Sequence, residues 1–153
     1  MTLIKSISGI RGTIGGLPGD NLTPLDVVKY ASAYGIWLKS RSKGKIKVVV
    51  GRDARISGPL VQNLVVSTLQ SSGIDVIDLG LSTTPTIEIA VEMEKASGGI
   101  ILTASHNPKQ WNALKLLNEK GEFVSADDGH KILRIVEEEN FEYAHIDDLG
   151  LME

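Results

Sequence analysis

The segment "GGIILTASHNPKQWNALK", residues 98–115, contains the sharpest change of pattern in the chain. Gly99–Leu102 is a short apolar run of the kind that forms a fully buried strand. A polar, turn-forming stretch, Thr103–Pro108, follows at once, and a second patterned run then ends in Lys115. Two interpretations are open. The polar stretch is an ordinary turn, or it holds Ser105 as a reactive group at the end of a strand.

Two further segments, Ile46–Val50 and Ile74–Asp78, have the same strand-like character, being rich in Val and Ile and bounded by Gly or polar residues. Helix-like stretches lie between the strands. Each begins with a capping residue close to a proline that suits the first helical turn: Thr23-Pro24, Ser57-Gly58-Pro59 and Thr84-Pro85. This alternation predicts an α/β fold, a three-layer α/β/α domain with a mixed, largely parallel sheet.

The last third of the chain has a different pattern. Ala113–Leu117 and Glu122–Val124 flank the turn sequence Asn118–Gly121, which predicts a β-hairpin. Ser125 then caps a final helix. We place one domain in residues 1–137 and an acidic tail, or the start of an interdomain linker, in residues 138–153.

The overall composition limits the class of protein. The chain has 153 residues, of which 42% are hydrophobic and 23% charged, as in ordinary soluble domains. A net charge of −3 without a Lys/Arg run argues against nucleic acid or an anionic membrane surface as the partner. The absence of cysteine excludes disulfides, thiolate metal sites and a cysteine nucleophile. No secretion signal and no bilayer-spanning run is visible, so we expect a cytoplasmic protein.

Ligands of open α/β sheets bind beyond the carboxyl ends of the parallel strands. The loops there carry hydroxyls and amides together with Arg52, Asp53 and Arg55, and a glycine-rich loop, residues 8–16, adds Arg11. Because helix N-termini also favour anions, the crevice suits a phosphorylated ligand. Each element also has a structural interpretation: the glycines form a tight turn, and Asp53 and Arg55 form a local ion pair, which we favour for these two.

Other sites are not favoured by the spacings. The glycines of residues 8–16 match neither a dinucleotide fingerprint nor a P-loop, and no His/Asp/Glu spacing suggests zinc. A serine hydrolase is disfavoured because there is no Gly-x-Ser-x-Gly elbow and because His106 directly follows Ser105, so that their side chains tend to point apart. Taken locally, Ser105 fits a turn. The combination of a strand-end serine, neighbouring arginine loops and Lys115 ten residues on favours a reactive group instead.

Four segments resemble, in the right order, the first domain of the α-D-phosphohexomutases, the family of phosphoglucomutase, phosphomannomutase and phosphoglucosamine mutase. "TASHNP" at 103–108 resembles the phosphoserine loop of the family, and "WNALK" at 111–115 resembles the segment that ends in its active-site lysine. "SGIRGT" at 8–13 and "GRDARISG" at 51–58 resemble its N-terminal arginine loop and its second loop. The similarity covers essentially the whole chain.

The resemblance implies a mechanism centred on Ser105. As a phosphoserine it would donate its phosphoryl group to a sugar monophosphate. The resulting hexose 1,6-bisphosphate would reorient and return the other phosphoryl group, so that phosphate moves between O1 and O6. The resemblance further implies that Arg11 and Lys115 lie close to the transferring group.

The family pattern also implies contacts to the phosphate and to a metal. His106 and Asn107 would shape the loop and contact phosphate, and Arg52 would bind phosphate. A Mg²⁺ ion, which prefers oxygen ligands, would take one oxygen of the phosphate on Ser105.

The family has four domains, and the other three are not represented in these residues. Its Asp-Gly-Asp-x-Asp-Arg metal loop, its sugar-recognition loop and its phosphate-clamping loop lie in the second, third and fourth domains. We therefore expect the remaining domains as partners, little or no turnover by residues 1–153 alone, and no indication here of which hexose phosphate is the substrate. The alternative function is a non-catalytic phosphosugar-binding or regulatory module in which Ser105 is a turn residue. A nucleotide-binding module is disfavoured by the glycine spacings.

Overall fold

The structure is a computed structural model that describes residues 1–153. One mixed sheet of six strands carries three helices on one face and a single helix on the other. In chain order the elements are β1 (Ile4–Ser6), β2 (Gly9–Thr13), α1 (Pro24–Arg41), β3 (Lys47–Arg52), α2 (Gly58–Ser71), β4 (Asp75–Leu81), α3 (Thr84–Met93), β5 (Gly98–Leu102), β6 (Trp111–Leu117), α4 (Ala126–Glu138) and a short 3₁₀ helix (Ile146–Asp148).

The strand order is β1-β2-β6-β5-β3-β4. β4, β3 and β5 run parallel to one another. On the other side of β5, β6 is antiparallel to β5, β2 is antiparallel to β6, and β1 is antiparallel to β2. The chain passes through α2 to reach β4 on one side of β3, and through α3 to reach β5 on the other side. Because such crossovers are right-handed, their opposite directions place α2 and α3 on opposite faces of the sheet. The predicted α/β/α domain with a mixed sheet is confirmed.

The buried core lies on both sides of the central strand β3. Val48 and Val50 belong to the larger core under α1, α2 and α4, and Val49 belongs to the smaller core under α3. All three are fully buried. This explains why the strand reads as a continuous apolar run, since successive side chains point to opposite faces and both faces are covered.

The three predicted parallel strands and the helix starts are confirmed to within a few residues. At the start of α1, the backbone N–H of Thr23 donates to the Asp26 carboxylate at 3.0 Å, as in a capping box. In α3 the Thr83 hydroxyl accepts from the backbone N–H of Thr86 at 3.2 Å, so the cap is one residue earlier than predicted.

Two local predictions need correction. The predicted hairpin is reduced to an isolated antiparallel bridge between Leu117 and Phe123, beside which the backbone N–H of Asn118 donates to the carbonyl of Glu122 at 2.8 Å; the strand partners of β6 are β5 and β2. The glycine-rich loop contains strand β2 rather than a turn alone. A Cβ on Gly9 would lie 1.9 Å from the carbonyl oxygen of Leu114, so glycine here allows two strands to approach closely.

Residues 138–153 lie against α2 and the outer edge of the sheet. The backbone N–H of Val76 donates to the carbonyl of Leu151 at 2.8 Å, and that of Glu153 donates to the carbonyl of Val76 at 2.9 Å. The last residues thus extend the sheet next to β4. None of the helices combines the length and the apolar character needed to cross a membrane.

Candidate active site

Ser105 lies in the loop just after β5, and its backbone is left-handed, with φ of +54°. Its side chain is exposed. Its backbone N–H donates to the Thr103 hydroxyl oxygen at 3.1 Å. A non-glycine residue with positive φ is uncommon, and such strained residues persist only where the surroundings hold them.

Lys115 approaches Ser105 directly: its Nζ donates to the Ser105 Oγ at 2.9 Å. The sheet explains this contact. β5 and β6 are antiparallel neighbours, with Ile101 opposite Lys115. The chain leaves β5, forms the loop of residues 103–110 that carries Ser105, called the serine loop below, and returns along β6. Lys115, ten residues after Ser105, therefore faces the start of this loop.

Arg11 lies on the same face of the sheet as Lys115. β2 and β6 pair with Arg11 opposite Ala113 and Gly9 opposite Lys115, and directly opposite residues share a face. The guanidinium carbon of Arg11 is 6.0 Å from the centre of the Trp111 ring. Both cations line one small cavity of about 190 Å³. The structure therefore brings Lys115 to Ser105 and places Arg11 on the same sheet face as Lys115.

Arg55 binds the backbone of the serine loop through its guanidinium group. Its guanidinium donates to the carbonyl oxygens of Ser105 at 3.0 Å and Asn107 at 2.8 Å, and to those of Pro108 at 2.7 Å and Trp111 at 3.2 Å. Its Nε donates to the Asp53 carboxylate at 3.1 Å. The side chain is only 12% exposed.

The predicted ion pair between Asp53 and Arg55 is confirmed. The contacts of Arg55 with the serine loop were not predicted, because nothing in "GRDAR" indicates which distant backbone its guanidinium meets. Asp53 also accepts from the Thr103 hydroxyl at 2.7 Å. A second missed residue is Asn112, which is fully buried on β6 and donates to the Ser57 hydroxyl at 2.9 Å. A buried amide inside an apolar strand was the available indication.

The other predicted site residues are placed differently. The Arg52 side chain points toward α2, where its Nε donates to the Gln62 side chain at 2.6 Å, and it does not contact Ser105. His106 is exposed and forms no side-chain hydrogen bond. Asn107 contributes its backbone carbonyl to Arg55. Phosphate binding by these three residues stays a prediction.

Carboxylates are scarce around the serine. Asp53 is the nearby acid, and it is occupied by Arg55 and Thr103. No group of three His, Asp or Glu side chains is arranged to hold a metal ion. A phosphate on Ser105 would offer oxygen ligands to Mg²⁺, but these residues do not supply the rest of a coordination shell. The site is therefore suited to holding an anion and to moving a proton at the Ser105 oxygen.

The largest cavity lies elsewhere, between α1, α2 and the chain around Tyr143 and Leu149, with a volume of about 1180 Å³. Its lining is mostly apolar and includes no charged side chain. Its hydroxyl side chains, among them Ser67 and Ser71, have no acid, base or cation beside them in the lining, so the cavity does not compete with the serine loop as the reactive site.

Comparison with known proteins gives a consistent result. The family model described as "Phosphoglucomutase/phosphomannomutase, alpha/beta/alpha domain I" matches residues 3–143. A phosphoglucomutase/phosphomannomutase of Thermococcus kodakarensis is 36% identical over 141 residues, covering 91% of this chain and 31% of that protein. Phosphoglucosamine mutase of Helicobacter pylori is 37% identical over 136 residues, covering 89% of this chain and 29% of that protein.

Solved structures have the same fold. A phosphoglucomutase/phosphomannomutase family protein of Burkholderia thailandensis matches with a TM-score of 0.79 over 100% of this chain and 33% of that protein, at 24% identity. The chain thus spans about a third of the length of the proteins it matches.

Proposed function

Because this chain belongs to the phosphoglucomutase/phosphomannomutase family, with its domain I model matching residues 3–143, we propose that it is the catalytic-serine domain of a phosphohexomutase. Ser105 is the phosphoryl carrier. The observation that supports this most directly is the 2.9 Å contact between the Lys115 Nζ and the Ser105 Oγ. An exposed serine with a cation on its oxygen is prepared both to carry a dianionic phosphate and to release it.

In the proposed transfer, one bond to phosphorus forms, one breaks, and one proton moves. A hydroxyl oxygen of the hexose phosphate forms a bond to the phosphorus on Ser105, and the bond between phosphorus and Oγ breaks. The hydroxyl loses one proton, and Oγ gains one. Lys115 is in hydrogen-bonding reach of Oγ and delivers that proton or stabilises the developing negative charge. The return step runs in the opposite direction with the other phosphoryl group of the hexose 1,6-bisphosphate.

The positive charge of Arg11 assists the transfer of the phosphoryl group. Arg11 lies on the same sheet face as Lys115 and lines one cavity with it. A guanidinium there neutralises the oxygens of the phosphoryl group as it moves, which is the main requirement of phosphoryl transfer. His106, Asn107 and Arg52 are proposed phosphate contacts.

The proposed Mg²⁺ takes one ligand from this chain, an oxygen of the phosphate on Ser105. In phosphoryl transfer such an ion neutralises charge on the phosphate. Its other ligands must come from residues outside 1–153, because Asp53 is already occupied by Arg55 and Thr103. No step in the proposed mechanism requires further metal ligands from this chain.

We propose hexose phosphates as the class of substrate and assign no particular sugar. The matched relatives are named for different sugars, and the chain corresponds to 31% and 29% of their lengths. We propose that the rest of the protein supplies sugar recognition and that residues 1–153 alone have little or no mutase turnover. A mutase assay at high protein concentration, with Mg²⁺ and a hexose bisphosphate activator, tests this, and robust turnover would contradict it.

Replacing Ser105 tests the central assignment. Protein isolated from its native cells is expected to carry stoichiometric phosphate on the peptide that contains Ser105, measured by mass spectrometry. S105A is expected to carry none, since alanine has no oxygen to accept phosphate. S67A is a matched control, because Ser67 is an exposed serine of α2 without a hydrogen-bond role. Consistent absence of phosphate from the unaltered protein would favour the phosphosugar-binding module instead.

A further inference from the structure

We infer that Arg55 is a positioning residue for phosphoryl transfer, which fixes the backbone of Ser105 so that Oγ stays in register with Lys115. This inference rests on the proposed function, since it assumes that Ser105 is the phosphoryl carrier. It assigns a role to a side chain that touches neither Oγ nor Lys115. The inference starts from four hydrogen bonds between one guanidinium and one loop.

The carbonyl groups that Arg55 binds depend on it. Those of Ser105 and Asn107 accept no other hydrogen bond in the structure. The bond to Ser105 is exposed and the bond to Asn107 is partly buried, so without Arg55 these carbonyls would be hydrated by water, which does not hold the loop in one conformation. Arg55 supplies the donors that the loop cannot obtain from secondary structure, because the chain between β5 and β6 is irregular here.

Both backbone polar groups of Ser105 are tied to the same carboxylate. On one side, the Ser105 carbonyl accepts from Arg55, whose Nε donates to the Oδ2 of Asp53 at 3.1 Å. On the other side, the Ser105 N–H donates to the Thr103 hydroxyl, which donates to the same Oδ2 at 2.7 Å. The peptide groups that flank the strained φ are thereby held to the end of β3.

This closed set of bonds has a geometric consequence. Asp53 and Arg55 follow β3, Thr103 follows β5, and Arg55 also donates to the carbonyl of Trp111 at the start of β6, the strand that carries Lys115. The bonds therefore fix Ser105 relative to three strands at once, including the strand of its proposed proton-transfer partner. If they are broken, we expect φ of Ser105 to relax and Oγ to move away from the Lys115 Nζ.

A lysine cannot replace this arginine. The guanidinium is a planar fork that directs several N–H groups at once, whereas an ammonium is a compact charge at the end of a flexible stem. Positioning therefore predicts that R55K behaves like R55Q. A role in supplying positive charge alone predicts that R55K retains function.

Two measurements test the inference, the first on residues 1–153 and the second on the full-length protein that contains them. The first is the ¹⁵N relaxation of residues 103–111, together with the nuclear Overhauser effect between the side chains of Ser105 and Lys115. The second is the rate at which Ser105 acquires phosphate from glucose 1,6-bisphosphate with Mg²⁺, measured by mass spectrometry over a range of bisphosphate concentrations. R55Q and R55K are compared with R134Q, since Arg134 is an exposed residue of α4 that forms no ion pair.

In both Arg55 variants we expect disorder confined to the serine loop and loss of the contact between Ser105 and Lys115. The maximal phosphorylation rate should fall by about 100-fold, the usual cost of a displacement near 1 Å, with the half-saturating concentration unchanged. R134Q should behave like the unaltered chain. An ordered loop and a normal rate in R55Q, or full rescue by R55K, would overturn the inference.

Failure of the proposed function gives a different result. If the unaltered full-length protein acquires no phosphate, the carrier assignment fails, whereas the NMR comparison on residues 1–153 still decides whether Arg55 orders the loop. Should the Arg55 variants not fold, D53N and T103V take their place. D53N alters the carboxylate that both connections to Ser105 share, and T103V removes the connection through the Thr103 hydroxyl. Each is expected to loosen the same loop and to slow phosphorylation, while an unchanged loop in both would contradict the inference.

Discussion

The parallel half of the sheet, β4, β3 and β5, is covered on both faces, whereas the antiparallel half, β6, β2 and β1, is covered on one face only. α3 packs on β3 and β5, where it buries Val49 and Ile101. On the same face of the antiparallel half no helix covers Arg11 and Lys115. The opposite face of that half is apolar, with Ile10 and Leu114 buried in the larger core.

The difference shows how one sheet separates stability from chemistry. A charged side chain under a helix would lose its hydration at a large cost, so the strand positions of the doubly covered half that lie under the helices hold apolar residues, such as Val48, Val49 and Val50. The open face allows two cations to remain hydrated and accessible to an anion. Ser105 lies where the halves meet, because it follows the last parallel strand and faces the first antiparallel one.

The largest effect is expected in the doubly covered half. Ile87 of α3 is fully buried against the sheet, whereas Ile89 of the same helix is 59% exposed. Ile87→Ala should lower the free energy of unfolding by about 3 kcal/mol, because it removes buried methyl groups and leaves a cavity. Ile89→Ala should change it by less than about 0.5 kcal/mol. Urea unfolding measures both, and equal effects of the two substitutions would break the comparison.

The next effect concerns activity rather than stability. Lys115→Met should slow phosphorylation of Ser105 by about 100-fold, equivalent to about 2.7 kcal/mol, because the charge and the donor at Oγ are lost. The free energy of unfolding should change by less than about 1 kcal/mol, since Lys115 is on the open face. Lys109→Met, an exposed position of the same loop, is the control. A stability loss as large as that of Ile87→Ala would mean that the open face is also structural.

The smallest effect is expected at α4, the helix whose Gly129 approaches the turn between β1 and β2 at Ile7. Burial raises the pKa of Asp128, but hydrogen bonds from Ser125 and Trp37 and the charge of Arg41 outweigh it and lower this pKa below the ordinary value of 3.8. A lowered folded-state pKa stabilises the fold above pH 3.8, and this contribution disappears as the pH falls through the folded-state pKa.

Asp128→Asn should therefore lower the free energy of unfolding by about 0.5–1 kcal/mol at pH 6.5, in line with partly exposed ion pairs. The difference in the free energy of unfolding between Asp128→Asn and the unaltered chain should narrow as the pH is lowered below 3.8. Chemical denaturation at several pH values measures it. Asp127→Asn, at an 84% exposed carboxylate one position earlier, is the matched control. A gap that widens toward low pH would contradict the assigned pKa direction.

The local sequence pattern was enough to predict the strands and helix starts of the doubly covered half. Short apolar runs such as Val48–Val50 are typical of buried strands, and Pro24 and Pro85 mark helix starts by their own backbone chemistry. Gly9–Thr13 could not be recognised as a strand. Its glycines lower the local preference for strand, and its place in the sheet depends on β6, about a hundred residues further along the chain.

The sequence by itself determined the α/β class, the parallel strands, the helix starts and a short set of candidate residues around Ser105. Only the tertiary structure decided that Lys115 meets the serine, that Arg11 shares its face, that Arg52 turns away, and that Arg55 holds the loop. The physical reason is the range of the interactions. Capping and strand burial are set by neighbouring residues, whereas the contacts of an arginine with backbone carbonyls depend on which strands become neighbours in the folded sheet.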